Sequence, residues 1–550
     1  MSGVVTVTII NLSEGSKMNP EYNLMSVDII KEVNKIPLAQ IIILDGDAAK
    51  QEFAISNTDF FKPGNQVEIK LRYESAVQNE ATVFKGIVVR HSVQTDQYGS
   101  FLTVDLKDAA IKLTTLRKSA VFRDMTDKEI IGKIITDGGL ETESTESIAA
   151  TKPKHQEMVQ YYCTDWDFIV SRADVNGLWV LADEGKITVA EPNLSELVKH
   201  TFNYGISEIY EFEMSADISH QHASVESTAW DVKNQNISPA QKAKNVSLNQ
   251  GNLEGKQLAK TIGADKYQLI GVSQLDDKEI QAWADAKLLK SRLSMLKGRL
   301  KIPGVANIGL GEIIEIKGIG DRFNGKTLVT AIRHQVNTQG WQTDVQFGLS
   351  ADFFAQQNNN ILDIPASGLV PAIHGLQIGI IDKYEDDPDK QFRVKVKIPS
   401  IQTDGIIWAR LASVETGNKR GIFFRPEPGD EVILGFINDD PRQAIILGAV
   451  HSEKNALPVD FKVTQENYKK GIVTKQGLKI LFDDENKLIE ISTLKGNTLK
   501  VSEKDKGIQL LDENGNIMRM DDKGFQIKSK KDIMIEGKNI TIKGIKVDVN

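Results

Sequence analysis

The chain has 550 residues and a formal net charge of -8, too long for one ordinary domain and lacking the basic balance of a general nucleic-acid binder. A hydrophobic fraction of 40% can fill several cores, and Cys163, the one cysteine, excludes an intrachain disulfide. Met1 to Leu12 has no basic region followed by an apolar run, so no secretory leader is expected, and nowhere do the roughly 18 successive apolar residues of a spanning helix occur.

The first hundred residues read as strands. Met25–Ile30 and Ile41–Ile43 are apolar-rich, Val67–Leu71 alternates, and Phe84–Arg90 is rich in β-formers, with a Pro-Gly turn at residues 63–64. A helix follows. Thr126 and Glu129 have capping-box spacing, Ile130, Ile131, Ile134 and Ile135 make one face, and Gly138–Gly139 stop it. Residues 165–173 predict a second helix, then Leu178–Val180 and Ile187–Val189 predict strands. The third helix starts at Asp276 and carries Ile280, Trp283, Ala284 and Leu288 on one face. Leu289, Leu293 and Leu296 extend it, and Gly298 and Pro303 are read as its end. Such a Trp and Leu stripe is packing, not a binding face.

Two stretches resemble each other. Gly64–Lys70, Phe84–Gly86, Arg90–Val93 and Gly99 recur as Gly311–Lys317, Phe323–Gly325, Arg333–Val336 and Gly340. This predicts a duplicated barrel-like unit, with His91 and His334 at matching places. A metal would need more ligands than these two histidines supply. Residues 357–374 read as a linker. Residues 375–450 hold about five short strands, including Phe392–Ile398, Ile406–Ala409, Gly421–Phe424, Glu431–Phe436 and Ala444–Leu447, which suits an OB fold. Residues 451–470 form a second linker.

From 471 to 550 glycines punctuate short alternating strands, and Phe525 is the one aromatic residue after Phe482. Apolar rows one residue deep, separated by charged residues, cannot close a core alone. They bury well when several copies wrap a common axis, which places Leu494, Leu499, Ile508, Leu510, Ile533, Ile535, Ile540 and Ile542 in a shared core. A single-chain solenoid and an unstructured tail are the alternatives, and sustained Val and Ile with little Pro argue against the tail.

Catalytic and metal motifs are missing. There is no H-E-x-x-H, no C-x-x-C, no G-x-S-x-G and no Walker A, and Gly318–Gly325 reads as strand-turn-strand. Asp386, Asp387 and Asp389 lie close together, but Lys383 and Lys390 flank them and favour an exposed acidic turn. No catalytic residue, cofactor or metal is therefore assigned.

Residues 160–169 (QYYCTDWDFI), Arg172–Asp174 and Asn176–Trp179 resemble the VgrG family, the spike proteins of type VI secretion and related contractile injection systems. Val225–Asp231, Phe424–Leu434 and Asp439–Ala444 fit the same family in order and spacing. The resemblance implies a mainly β architecture. Residues 1–356 would be a phage-tail-hub-like region, with barrels near 1–110 and 245–350 and an α+β insert near 111–240. An OB fold at 375–450 and a triple-stranded β-helix at 471–550 would follow. It implies a homotrimer whose duplicated hub meets a hexameric tube protein, with baseplate components and effector cargo as further partners. A PAAR-like tip protein would dock on Ile545, Val547 and Val549. No lysozyme domain fits between 450 and 472, and a C-terminal effector enzyme is expected to be absent. An enzyme such as a peptidoglycan hydrolase, or an adhesin-like β-helix, are the competing readings. The family implies synthesis in the bacterial cytoplasm and ejection or release with the apparatus.

Overall fold

The computed structural model describes residues 3–142, 144, 146–193, 195, 197–248, 251–402 and 405–549. Met1 and Asn550, the ends of the expected hub and spike, lie outside the described residues. The chain divides into two compact units, residues 1–363 and 364–550.

In the first unit β1 (Val5–Asn11), β2 (Leu24–Glu32), β3 (Leu38–Leu44), β4 (Gln66–Tyr73), β5 (Ala81–Asp96) and β6 (Gly99–Lys107) form one module. Alternating apolar residues face its interior. Ile29, Ile41, Ile43, Ile69, Leu71, Leu102 and Leu106 are all fully buried there. An α+β segment follows: β7 (Arg117–Thr126), α1 (Asp127–Asp137), β8 (Lys154–Thr164), α2 (Asp165–Val175), β9 (Trp179–Asp183) and β10 (Lys186–Ala190). The capping box at Thr126 and Glu129 is formed in both directions, and Ile130, Ile131, Ile134 and Ile135 are buried as the spacing predicts.

The second module comprises β11 (Val198–Asn203), β12 (Glu211–Ala216), β13 (Leu296–Pro303), β14 (Ile313–Lys317), β15 (Gly325–Asn337) and β16 (Gly340–Phe347). The long helix α3 (Asp277–Leu293) precedes β13, with the Asp276 side chain capping its start. It ends earlier than the sequence reading had it. Leu296, Leu300 and Ile302 alternate into the second module's core instead. Gly298 is no helix stop: it lies in β13, where a Cβ would come within 2.3 Å of the Glu213 carbonyl oxygen.

The two modules repeat one connectivity. In the first, β2 pairs β3, β3 pairs β6, β6 pairs β5 and β5 pairs β4; in the second, β12 pairs β13, β13 pairs β16, β16 pairs β15 and β15 pairs β14, all antiparallel. The repeat is not complete, since β1 runs antiparallel to β4 whereas β11 runs parallel to β14. The modules join where β15 pairs β2, giving a continuous order β12-β13-β16-β15-β2-β3-β6-β5-β4-β1.

The second unit begins with a closed five-stranded barrel of β17 (Gln377–Ile381), β18 (Val394–Lys397), β19 (Ile406–Leu411), β20 (Glu431–Phe436) and β21 (Ala444–Ala449). Val394, Val396, Val432, Leu434 and Ile446 fill it. The expected strand Gly421–Phe424 is not among its members. Gly417 and Gly421 take part in a two-residue hairpin ladder, and Phe423 and Phe424 stand 70% and 60% exposed. Beyond the barrel a seven-stranded antiparallel meander runs through β22 (Lys469–Val473), β23 (Lys479–Asp483), β24 (Leu488–Ser492), β25 (Thr498–Ser502), β26 (Gly507–Leu511), β27 (Ile517–Asp521) and β28 (Gly524–Lys528).

Candidate assembly surfaces

Each strand of the meander has five residues, and its turns hold the register so that alternate side chains share a face. Phe482, Ile489, Val501, Ile508, Met520 and Phe525 stand opposite one another in succession; so do Ile480, Ile491, Leu499, Leu510, Met518 and Ile527. The result is two parallel apolar columns on one face. The other face carries Glu490, Lys500, Gln509, Arg519 and Gln526 in its central row, with Leu481 heading that row and Leu488, Leu511 and Ile517 at strand ends. Burial normally follows such segregation, yet the columns lie open: Ile491 is 47% exposed, Leu499 37% and Ile508 40%. A hollow of about 520 Å³ lies on this face, lined by Ile491, Leu499, Leu510, Met518 and Ile527 among others.

Leu499, Ile508 and Leu510, expected as spike core, belong to these columns. Leu494 lies in the turn after β24 and is 81% exposed. Ile533, Ile535, Ile540 and Ile542 lie beyond β28, where no strand is formed with another part of the chain among the described residues. Here the sequence runs in sevens, Asp532–Lys538 then Asn539–Ile545, with isoleucine at the second and fourth places and glycine at the sixth. Ile545, Val547 and Val549 are likewise exposed. Sequence reasoning missed Ile480, Phe482, Ile489, Met518 and Met520, although their alternation with charged residues was legible.

Several buried polar groups elsewhere are committed to packing. Asp127, at the first turn of α1, accepts hydrogen bonds from Arg172 Nε (2.7 Å) and Nη2 (3.0 Å) and from Asn176 Nδ2 (2.8 Å), with His155 Nε2 at 3.2 Å. Arg172 also donates to Glu279 of α3 at 3.1 Å. Burial alone would raise the Asp127 pKa, but the His155 and Arg172 contacts override it and hold the carboxyl well below its usual range. Asp174 accepts from Lys290 Nζ at 2.8 Å and from the Phe354 N–H at 2.7 Å. In the acidic turn, Asp387 and Asp389 are taken up by Arg393 and nearby backbone N–H groups. Among the described residues no group of three His, Cys, Asp or Glu is placed to hold a metal ion.

The paired histidines differ in surroundings. His91 is half-buried, with Nε2 2.7 Å from Ser56 Oγ and Nδ1 3.0 Å from the Phe61 carbonyl. His334 is 3% exposed beside Trp341 at the junction of the two modules, its Nδ1 3.0 Å from Thr343 Oγ1. Burial, and then Lys31, push its pKa down to about 3. The unfolded chain therefore binds a proton near pH 6.5 that the native chain refuses. The stabilisation is whole above pH 6.5 and is lost progressively as the pH falls towards 3, on the order of 3–5 kcal/mol over the full window. Unfolding midpoints measured from pH 7 to 4 should fall, and His334→Gln should flatten the curve. An unchanged slope in the variant would remove His334 from the account. His222, pushed down to about 4 by burial and by Lys287 and Arg292, titrates in the same direction.

Residues 1–338 match the family described as the Alg8 N-terminal domain. Residues 377–451 match the type VI secretion system/phage-baseplate injector OB domain, so the injector resemblance read from the sequence holds for the barrel. Several solved structures are similar. A tail protein from Neisseria meningitidis MC58 is 12% identical with a TM-score of 0.43, over 63% of this chain and 96% of its own. The E. coli c3393 protein, a component of the type VI secretion system, is 11% identical with a TM-score of 0.39, over 80% and 99%. The Francisella PdpA–VgrG complex in its lidded form is 10% identical with a TM-score of 0.41, over 95% and 80%.

Proposed function

The chain belongs to the Alg8 N-terminal domain family, and from that premise we propose that it is the structural, homotrimeric central spike of a contractile injection apparatus. The observation that carries this reading is the pair of open apolar columns on the β22–β28 face. Among the described residues of one copy they stand open, whereas three copies facing one axis bury them against each other. Beyond β28, Ile533–Val549 leaves backbone N–H and C=O groups that neighbouring copies can satisfy by wrapping round one another. The injector-type OB barrel supports a place in such an apparatus, and the open apolar columns suit a scaffold. Light scattering on the full-length protein tests the reading. A mass near three times 61.0 kDa is expected, and a clean monomer at micromolar concentration would sink it.

On the same reading the duplicated hub faces a hexameric tube protein, because three copies of two like modules present six. Baseplate components and effector cargo are the further partners, and the apparatus itself carries the protein out of the bacterial cytoplasm. The far end is the docking platform for a PAAR-like tip protein, through Ile545, Val547 and Val549. All three side chains are at least half exposed. Removing residues 545–550 should abolish capture of the tip protein while leaving the trimer intact. Undiminished capture would move the contact elsewhere.

A further inference from the structure

A small sheet in the first unit ends in a strand that is open on its outer side. The sheet consists of Val225–Asp231, Asn236–Ile237, Gln241–Lys242 and Tyr267–Gly271. Val225, Leu269, Ala284 and Leu288 pack it against α3. Tyr267–Gly271 runs parallel to Val225–Asp231, with Leu269 opposite Ser227, and has no second strand partner among the described residues.

The Tyr267 N–H donates to the Ser224 carbonyl at 2.9 Å. In a parallel ladder alternate residues bond to the same neighbour, so Tyr267 and Leu269 turn their backbone groups to Val225–Asp231. Gln268 and Ile270 turn theirs away, where these N–H and C=O groups meet no protein partner among the described residues. The side chains of Gln268 and Ile270 lie on the sheet face opposite α3. Ile270 is 60% exposed there, Val272 just past the strand is 92% exposed, and Trp230 of the neighbouring strand is 39% exposed.

Such an edge selects its occupant. Donors and acceptors that alternate along an extended chain are satisfied by another extended chain. Open edges are normally blunted by charge or proline, yet residues 267–272 contain neither. By contrast β7, β8 and β12, each with a side that lacks a strand partner among the described residues, carry Arg123, Glu157 and Glu211. A second copy offering one of those strands would set a charge beside Ile270, so an uncharged strand from a different protein fits better.

We propose that the Tyr267–Gly271 edge takes up an extended, uncharged segment of another protein of the apparatus as an added strand. Its main chain bonds to Gln268 and Ile270, and its apolar side chains lie against Ile270 and Val272. The inference rests on the injection-apparatus reading for the source of the partner, and on this sheet alone for the pairing.

Hydrogen exchange on the unaltered full-length protein, alone and within the purified apparatus, tests it. The amides of Gln268 and Ile270 should exchange freely in the isolated protein and about 100-fold more slowly in the apparatus. Ile270→Pro removes one outward N–H and no bond to Val225–Asp231, a change that an edge strand tolerates. It should keep the unfolding midpoint of the isolated protein and lose the protection of Gln268 in the apparatus. Fast exchange at both amides in an apparatus that contains the chain overturns the pairing and leaves the spike reading standing, and so does protection that survives Ile270→Pro. Slow exchange in the isolated protein assigns the edge to a second copy and overturns the partner. Absence of the chain from the apparatus overturns both readings.

Discussion

Leu499→Asp should abolish the resistance to mild SDS expected of the proposed trimer and leave a chain that runs as a monomer. Leu499 stands between Ile491 and Leu510 in the apolar columns of the meander. Burying a leucine contributes roughly 1.5–3 kcal/mol, and in the proposed trimer three symmetry-related copies would meet at the same level of the axis. The substitution therefore removes that contribution three times. It also places three carboxylates in apolar surroundings, where each costs more than the leucine had contributed unless it takes up a proton. Gln509→Asp, on the opposite face of β26, is the matched control and should leave the trimer intact. Ile535→Asp should act like Leu499→Asp, because Ile535 belongs to the seven-residue repeat that has no strand partner among the described residues. SDS-resistant trimers of Leu499→Asp at wild-type yield would show that the columns do not face the axis.

What was legible in the sequence follows the range of each interaction. The capping box at Thr126 and the isoleucine face of α1 are local, and both formed as read. The duplication was legible because both copies kept the Gly-x-x-x-Glu-Ile-Lys strand and the Arg-His pair. The end of α3 was not. Leu289, Leu293 and Leu296 keep helical spacing, while Leu296, Leu300 and Ile302 keep strand spacing, and only the space inside the second module decides between them. Gly421–Phe424 looked like a strand for its β-formers, but the hairpin at Gly417–Gly421 carries those residues out of the barrel. The apolar columns were half legible: the alternation identified Leu499, Ile508 and Leu510, while the register needed to align Phe482 with Ile489 emerges only from the turns. Invisible altogether was the meeting of Asp127, His155, Arg172 and Glu279, which no local pattern links.

That meeting sets the second large effect. Asp127→Ala should destabilise the hub by about 3–5 kcal/mol, read as a lower midpoint in thermal or urea unfolding at pH 7. The side chain of Asp127 is fully buried, so truncation leaves the Arg172 guanidinium and the Asn176 amide turned towards a site without an anion. The loss spreads through the neighbours. Arg172 links α1 to α3 through Glu279, and Asp174, two residues on, holds Lys290 of the same helix. The stretch from Arg172 to Asn176, part of the VgrG-like signature, is thereby explained as the fastening of α1, α2 and α3. Asp127→Asn keeps the shape and one acceptor and should lose less. The pH dependence separates charge from shape. Because the native carboxyl is held below its unfolded value, its contribution is whole above about pH 4 and is lost as the pH falls through the native value. The gap between wild type and Asp127→Ala should therefore narrow in acid. A gap that stays constant down to pH 2 would assign the effect to the cavity left by the side chain and not to the ion pair.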